Sequence, residues 1–208
     1  MRLNKPLNKI LNSETKVKIL RLFCSVGGET SGRQVAQLLQ ASTTTVRVAL
    51  RDLYEEGVLE RKGFGTVHAY GLNPKNWVVA KVLKPMFKTE GDYPSDLWTE
   101  FHKKIEGSGI KEDIVSVALF GSVHKKKERP TSDVDLLVLI NSEKVRSLVE
   151  DLFLDINVSV LQEVGLSIDA HIYSVAEFRK KSSEGLSFIK AALDSNKIIW
   201  GKKLEAFL

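Results

Sequence analysis

Gly121-Ser122, followed eleven residues later by Asp133-Val134-Asp135, is where the residue types of this sequence point most directly to chemistry. In an extended segment, residues two apart face the same side, so Asp133 and Asp135 can share a hard cation. Magnesium takes oxygen ligands in near-octahedral geometry and is usually held by one or two carboxylates plus substrate phosphates. A Gly-Ser turn offers adaptable backbone and exposed N–H groups suited to a phosphate. Together they read as a site for a metal ion and a triphosphate. Each element alone is ordinary: Asp-x-Asp often only solvates a strand end, and Gly-Ser is common in loops.

The elements that must position these residues are legible on either side. Ile114–Phe120 and Leu136–Ile140 are short, apolar and rich in Val, Ile and Leu, as buried strands are. Residues 166–172 alternate apolar and other residues, as a half-buried strand does, and carry Asp169. Between them, residues 143–163 read as a helix with Val145, Leu148, Val149, Leu152 and Phe153 on its apolar face. A helix crossing from one strand to the other suits a mixed α/β arrangement. Residues 188–193 suggest a further helix, and 198–201 a closing strand or turn.

Gly121-Ser122, the eleven-residue offset and Ser132-Asp133-Val134-Asp135-Leu136 resemble the signature of the DNA polymerase beta-like nucleotidyltransferases. The short spacing is similar to that of the minimal nucleotidyltransferases of bacteria and archaea. The resemblance implies that Asp133 and Asp135 bind metal ions carrying the nucleotide, and that a third carboxylate helps activate the attacking hydroxyl. Asp169 is the best match for that role; its plain alternative is an exposed strand aspartate. The implied set is thus Asp133, Asp135 and Asp169 as catalytic and metal-binding residues, with Gly121, Ser122, Lys125 and Ser132 at the nucleotide. The implied chemistry is magnesium-dependent in-line transfer of a nucleoside monophosphate from a nucleoside triphosphate, ATP by analogy, to a hydroxyl acceptor on a small molecule or a protein. One departure stands out. The family often has Arg-Gly shortly after Gly-Ser, whereas this chain has His124-Lys125-Lys126-Lys127, and lysine lacks arginine's bidentate fork. His171, two residues after Asp169, can share its face, and reads as a packed or solvent-bonded histidine ahead of a ligand.

The N-terminal third has a different organisation. Ser13, Ser31 and Ser42 can each cap a helix, and Gly27-Gly28 and Gly57 supply stops. Val58–Lys62 and Val67–Leu72 then read as two short strands around Gly63-Phe64-Gly65-Thr66, a hairpin turn. Three helices followed by a hairpin resemble a winged helix-turn-helix domain, with residues 44–61 similar to its recognition helix and wing entry. The resemblance implies binding of double-stranded DNA. Thr43, Thr44, Thr45 and Arg47 would meet base edges and Arg51 a phosphate, while Arg61 and Lys62 would charge the wing. A dimerisation or protein-binding module with solvated charges is the alternative. A palindromic target would call for a homodimer.

The chain has 208 residues, 43% of them hydrophobic, enough for real cores and against wholesale disorder. No apolar run approaches the ~18 residues of a membrane span, and residues 1–6 lack the apolar run of a secretory signal. Cys24, the single cysteine, cannot form an internal disulfide, which fits a reducing cytoplasm. A net charge of +5 favours polyanionic partners. The expected partition is a winged helix-turn-helix over 1–74, a helical linker over 75–109 and a nucleotidyltransferase fold with a mixed sheet over 110–208: α/β (α+β) overall. The leading reading is a DNA-binding protein with a nucleotidyltransferase domain. Its alternatives are a non-catalytic, nucleotide-responsive transcriptional regulator and an antitoxin-like modifier of a partner protein.

Overall fold

The computed structural model describes residues 4–64, 67–125, 127, 129 and 132–208. The expected hairpin tip at Gly65-Thr66 and Lys126 of the lysine run lie outside the described residues. The chain divides into two compact units, Met1–Tyr93 and Pro94–Leu208. No helix among the described residues is long and apolar enough to cross a membrane.

The first unit runs α1 (Leu7–Ile10), α2 (Glu14–Val26), β1 (Thr30–Ser31), α3 (Gly32–Leu38), α4 (Thr43–Glu55), β2 (Leu59–Phe64) and β3 (Val67–Leu72). Ser13 caps α2 by accepting from the Lys16 N–H, and Ser31 forms a reciprocal capping box with Gln34 on α3. Ser42 occupies the N-cap of α4 but makes no side-chain cap bond. α4 buries Val46, Ala49, Leu50 and Leu53 at helical spacing, against Ile19, Leu20 and Phe23 of α2 in one core. β2 and β3 form the antiparallel wing, and β1 adds to the far side of β3. Helices α2, α3 and α4 followed by the wing make this unit a winged helix-turn-helix.

Lys16 is a feature that hydropathy alone does not announce: it is buried, 6% exposed. Its ammonium donates to the Lys9 carbonyl at 3.0 Å and to Asn12 Oδ1 at 3.1 Å, and pairs with Asp52 of α4 at 3.1 Å. A buried charge stays buried only when paired and hydrogen-bonded. Here those bonds tie α1, the start of α2 and α4 together.

The segment expected as a linker is helical from Trp77 to Gly107: a π-helical turn over Val79–Leu83 leads into α5 (Lys84–Gly107). Pro85 lies within this run without ending it. The widened turn sits just before it, where the proline ring would otherwise crowd the preceding carbonyl. Val78, Val79, Leu83 and Phe87 join the first core, and Phe101 and Ile105 the second.

After α5, the second unit continues as β4 (Ile114–Leu119), α6 (Gly121–His124), β5 (Val134–Ile140), α7 (Arg146–Val164), β6 (Ile168–Ser174), α8 (Val175–Ser183), α9 (Ser187–Asp194) and β7 (Lys197–Gly201). Its sheet has the order β6-β5-β4-β7, with β5 and β6 parallel and the other pairs antiparallel. Both faces of β5 are covered. Leu136, Val138 and Ile140 pack with α7, and Leu137 and Leu139 pack with Phe178 and Ile189 of α8 and α9. That double burial is why the strand reads as a continuous apolar run. α8 was not expected from the sequence, although Ser174 and Glu177 spell its capping box. Arg146 locks this corner, donating to Glu143 at 2.6 Å and to the Ile172 carbonyl at 2.6 Å while also pairing with Glu177.

Candidate functional site

Asp135 and Asp169 are register partners on the parallel strands β5 and β6. Their parity is that of Leu137, Leu139 and Tyr173, so both project to the face covered by α8 and α9. They lie near the start of both strands, on the side where β4 gives way to α6. Asp135 is half-buried and Asp169 exposed. Burial and the nearby Asp169 charge push the Asp135 carboxyl above the ordinary carboxylate range, with Asp133 adding to the repulsion. The neighbouring His171 and a hydrogen bond from the Ser122 backbone N–H oppose that shift.

Gly121 explains why the turn needs glycine. Its φ is +76°, a region that side chains rarely adopt. A Cβ at this position would come within 1.9 Å of Asp135 Oδ2. The backbone of Gly121 thus lies directly against the carboxylate, and the next residue's N–H bonds to it. The Phe120 N–H also donates to the Asp135 carbonyl at 3.1 Å, so the turn is fastened to β5 at both main chain and side chain. The Ser122 amide is therefore committed to Asp135 rather than free for a phosphate, and the Ser122 hydroxyl remains the polar group at that position.

The other expected residues are placed less tightly. Asp133 is exposed just before β5; its charge reaches Asp135, but it lies outside the close ligand group of Asp135, Asp169 and His171. The ligand atoms of those three all lie within 4.8 Å of one another. Lys125 ends α6, exposed, its N–H donating to the Gly121 carbonyl at 3.3 Å. Ser132 exchanges hydrogen bonds with the backbone of Arg129, both at 2.9 Å. Two features escaped the sequence reading. His124 Nε2 meets Ser195 Oγ at 3.1 Å, tying α6 to the turn before β7. Phe188 of α9 packs against His171 at 5.1 Å and Phe120 at 6.5 Å between ring centroids.

The donor set suits a divalent cation. Two carboxylates face one another across adjacent strands, and burial together with the Asp169 charge destabilises the charged form of Asp135, a cost that a bound cation removes. The glycine against Asp135 leaves that carboxylate reachable.

On the first unit, Thr43, Thr44, Thr45, Arg47 and Arg51 are exposed along the start and outer face of α4. Arg47 makes no ion pair among the described residues, whereas Arg51 lies 3.8 Å from Glu55 and 3.9 Å from Asp52. Arg61 stacks over Tyr54, 5.0 Å from the ring centroid. Lys62 pairs with Glu29 across the three-stranded sheet, and that bond raises its pKa. Arg47 on α4 is thus more available than Lys62 on the wing.

Residues 97–199 match a family model described as a nucleotidyltransferase domain. This stretch of the chain is similar to a nucleotidyltransferase domain. The match spans β4, β5 and β6 and so takes in Gly121, Asp135 and Asp169. No curated protein matches the chain. Among solved structures, HlyU from Vibrio cholerae N16961 is similar at 18% identity and a TM-score of 0.36, covering 45% of this chain and 97% of that one. A homodimeric winged helix-turn-helix DNA-binding domain from Mycobacterium bovis, a possible ArsR-family regulator, is 22% identical with a TM-score of 0.35. It covers 42% of this chain and 77% of its own. A toxin-antitoxin crystal structure with AMP-PNP is 16% identical with a TM-score of 0.31, covering 50% of this chain and 78% of that one.

Proposed function

We propose that this protein binds double-stranded DNA through its winged helix and, through its nucleotidyltransferase domain, moves a nucleoside monophosphate from a nucleoside triphosphate to an acceptor hydroxyl. The observation that carries the catalytic half is the Asp135–Asp169 pair on adjacent parallel strands, with Gly121 seated against Asp135. Asp135 and Asp169 would hold magnesium, with Asp133 at the rim. The ion, when bound, supplies electrostatic stabilisation of the entering and leaving oxygens.

The remaining steps belong to the chain. The Gly121-Ser122 turn brings the Ser122 hydroxyl to the triphosphate, with no side-chain bulk at Gly121. Lys125 offers a point charge for its phosphates. Asp169, exposed where Asp135 is not, takes the proton of the acceptor hydroxyl as its oxygen attacks the α-phosphorus. The bond from that phosphorus to the bridging oxygen breaks, and pyrophosphate leaves. For the DNA-binding half, Thr43–Thr45 and Arg47 face base edges and Arg51 faces a phosphate.

Label transfer tests the catalytic half. Purified protein, magnesium and each α-labelled nucleoside triphosphate, with host extract as acceptor source, should give a labelled product that Asp135→Asn does not form. A second reading, a regulator that binds nucleotide without transferring it, draws on the position of Asp133 outside the close ligand group. It calls for nucleotide-dependent DNA affinity with no labelled product.

A further inference from the structure

We propose that His171 is a nitrogen ligand of the cation held by Asp135 and Asp169, and that it tilts this site from magnesium toward divalent transition ions. This rests on the metal-dependent reading above and goes beyond it in naming a ligand and an ion preference.

Register places His171 there. It lies opposite Leu137 on β6, two residues beyond Asp169, so both side chains emerge on one face of the sheet. His171 Nε2 approaches Asp169 Oδ2 at 3.5 Å, with the imidazole side chain 33% exposed. That separation is long for a hydrogen bond. It is close to the roughly 3 Å between neighbouring ligands that each sit about 2.1 Å from one octahedral ion. Asp135 completes the group within 4.8 Å, whereas Asp133 does not belong to it. The third close donor beside two carboxylates is therefore nitrogen.

The ring is also held for the task. Phe188 lies 5.1 Å from its centroid and Phe120 6.0 Å, at tilts of 41° and 45°. Packing on two aromatic rings restricts the imidazole plane, so little rotamer freedom is lost when a cation binds. Ion preference follows from donor softness. Magnesium favours a shell of carboxylate and water oxygens, while imidazole is a good ligand for the later first-row ions.

The test reads coordination directly. Manganese(II) is added to the full-length protein without nucleotide, and pulsed electron paramagnetic resonance is used to look for imidazole nitrogen-14 coupling. Coupling in the wild type that vanishes in His171→Gln is the expected result. Calorimetric titrations accompany it: cobalt(II) affinity should fall about tenfold or more in His171→Gln, and magnesium affinity by less than about twofold. Bound manganese without nitrogen coupling, or equal losses for both ions, overturns the assignment while the carboxylate site stands. If the wild type binds none of these ions, the metal site itself falls, and Asp135→Asn, expected to abolish binding of all three, marks that separate failure.

Discussion

Asp135 sits half-buried between Gly121 and Asp169, while Arg47 and Arg51 stand exposed on helix α4. Both regions carry the charges on which their proposed roles depend, but in opposite physical settings. In the sheet, carboxylates are brought together by strand register and backed by main chain, so each contact is tight and its loss is severe. On the winged helix, the α4 cations are exposed, and the proposed DNA binding would rest on many separate contacts, each of modest worth. A site that stabilises charge in a reaction must be preorganised before the reaction begins. A surface that follows a polyanion needs reach more than rigidity. The difference predicts which substitutions act in steps and which act by degrees.

The largest effect should come from Asp135→Asn. Loss of a cation ligand worth several kcal/mol of transition-state stabilisation should cut transfer by roughly a thousandfold or more, with DNA affinity unchanged in a gel-shift titration. The same substitution should have an opposite effect on metal-free stability. Because folding raises the Asp135 pKa, its ionised form is disfavoured in the folded state. That penalty is absent below the unfolded carboxylate pKa and full above the folded one. Asp135→Asn should therefore melt higher than wild type at pH 7 without metal, and the gap should close on acidification; added metal should raise only the wild-type midpoint. An Asn variant that melts lower at pH 7 would contradict the electrostatic account of this site.

Gly121→Ala comes next. It demands φ near +76° of an alanine and drives a methyl group into Asp135. We expect about 1–3 kcal/mol of lost stability by chemical unfolding, and about a hundredfold loss of transfer, since a displacement near 1 Å suffices for that.

The winged helix should respond more gently. Arg47→Ala and Arg51→Ala should each weaken DNA binding by about 1–3 kcal/mol or less. Arg51→Ala should also reduce the salt dependence by about one phosphate contact. Transfer should be untouched, and unchanged DNA affinity in both variants would favour the protein-binding module. The smallest effect concerns Glu143, held down to about 2 by Arg146. A lowered folded pKa stabilises above the unfolded carboxylate value and is lost as pH falls from about 4.5 toward 2. Glu143 is exposed, so screening limits its pair with Arg146 to under about 1 kcal/mol. Glu143→Gln should lower the midpoint by only about one to three degrees at pH 7, a gap that shrinks toward pH 2.

The same contrast governs what the sequence disclosed. Strands β4 and β5 and helix α4 were legible because one face, or both, is buried, and burial writes its period into residue type. Gly121-Ser122 and Asp135 were legible because a tight turn and paired charges restrict the residues that can stand there. The Asp135–Asp169 pairing was not written locally, since register between strands 34 positions apart depends on the crossover helix α7. Asp133 shares parity with Asp135, yet it precedes the strand and its exposed position escapes that register. Nor could spacing reveal that the Ser122 amide turns to Asp135, or that Glu29 engages Lys62. Nor does spacing reveal the π-turn after which the chain carries Pro85 within a continuous helical run.

The most direct test of the central claim uses two positions of the label. Protein, magnesium and host extract are incubated in parallel with α-labelled and γ-labelled forms of each nucleoside triphosphate, for wild type and Asp135→Asn. Covalent label in an acceptor from an α-labelled nucleotide alone, absent with Asp135→Asn, is the result we expect. Incorporation from the γ position, or none from any nucleotide, would contradict nucleotidyl transfer at this site.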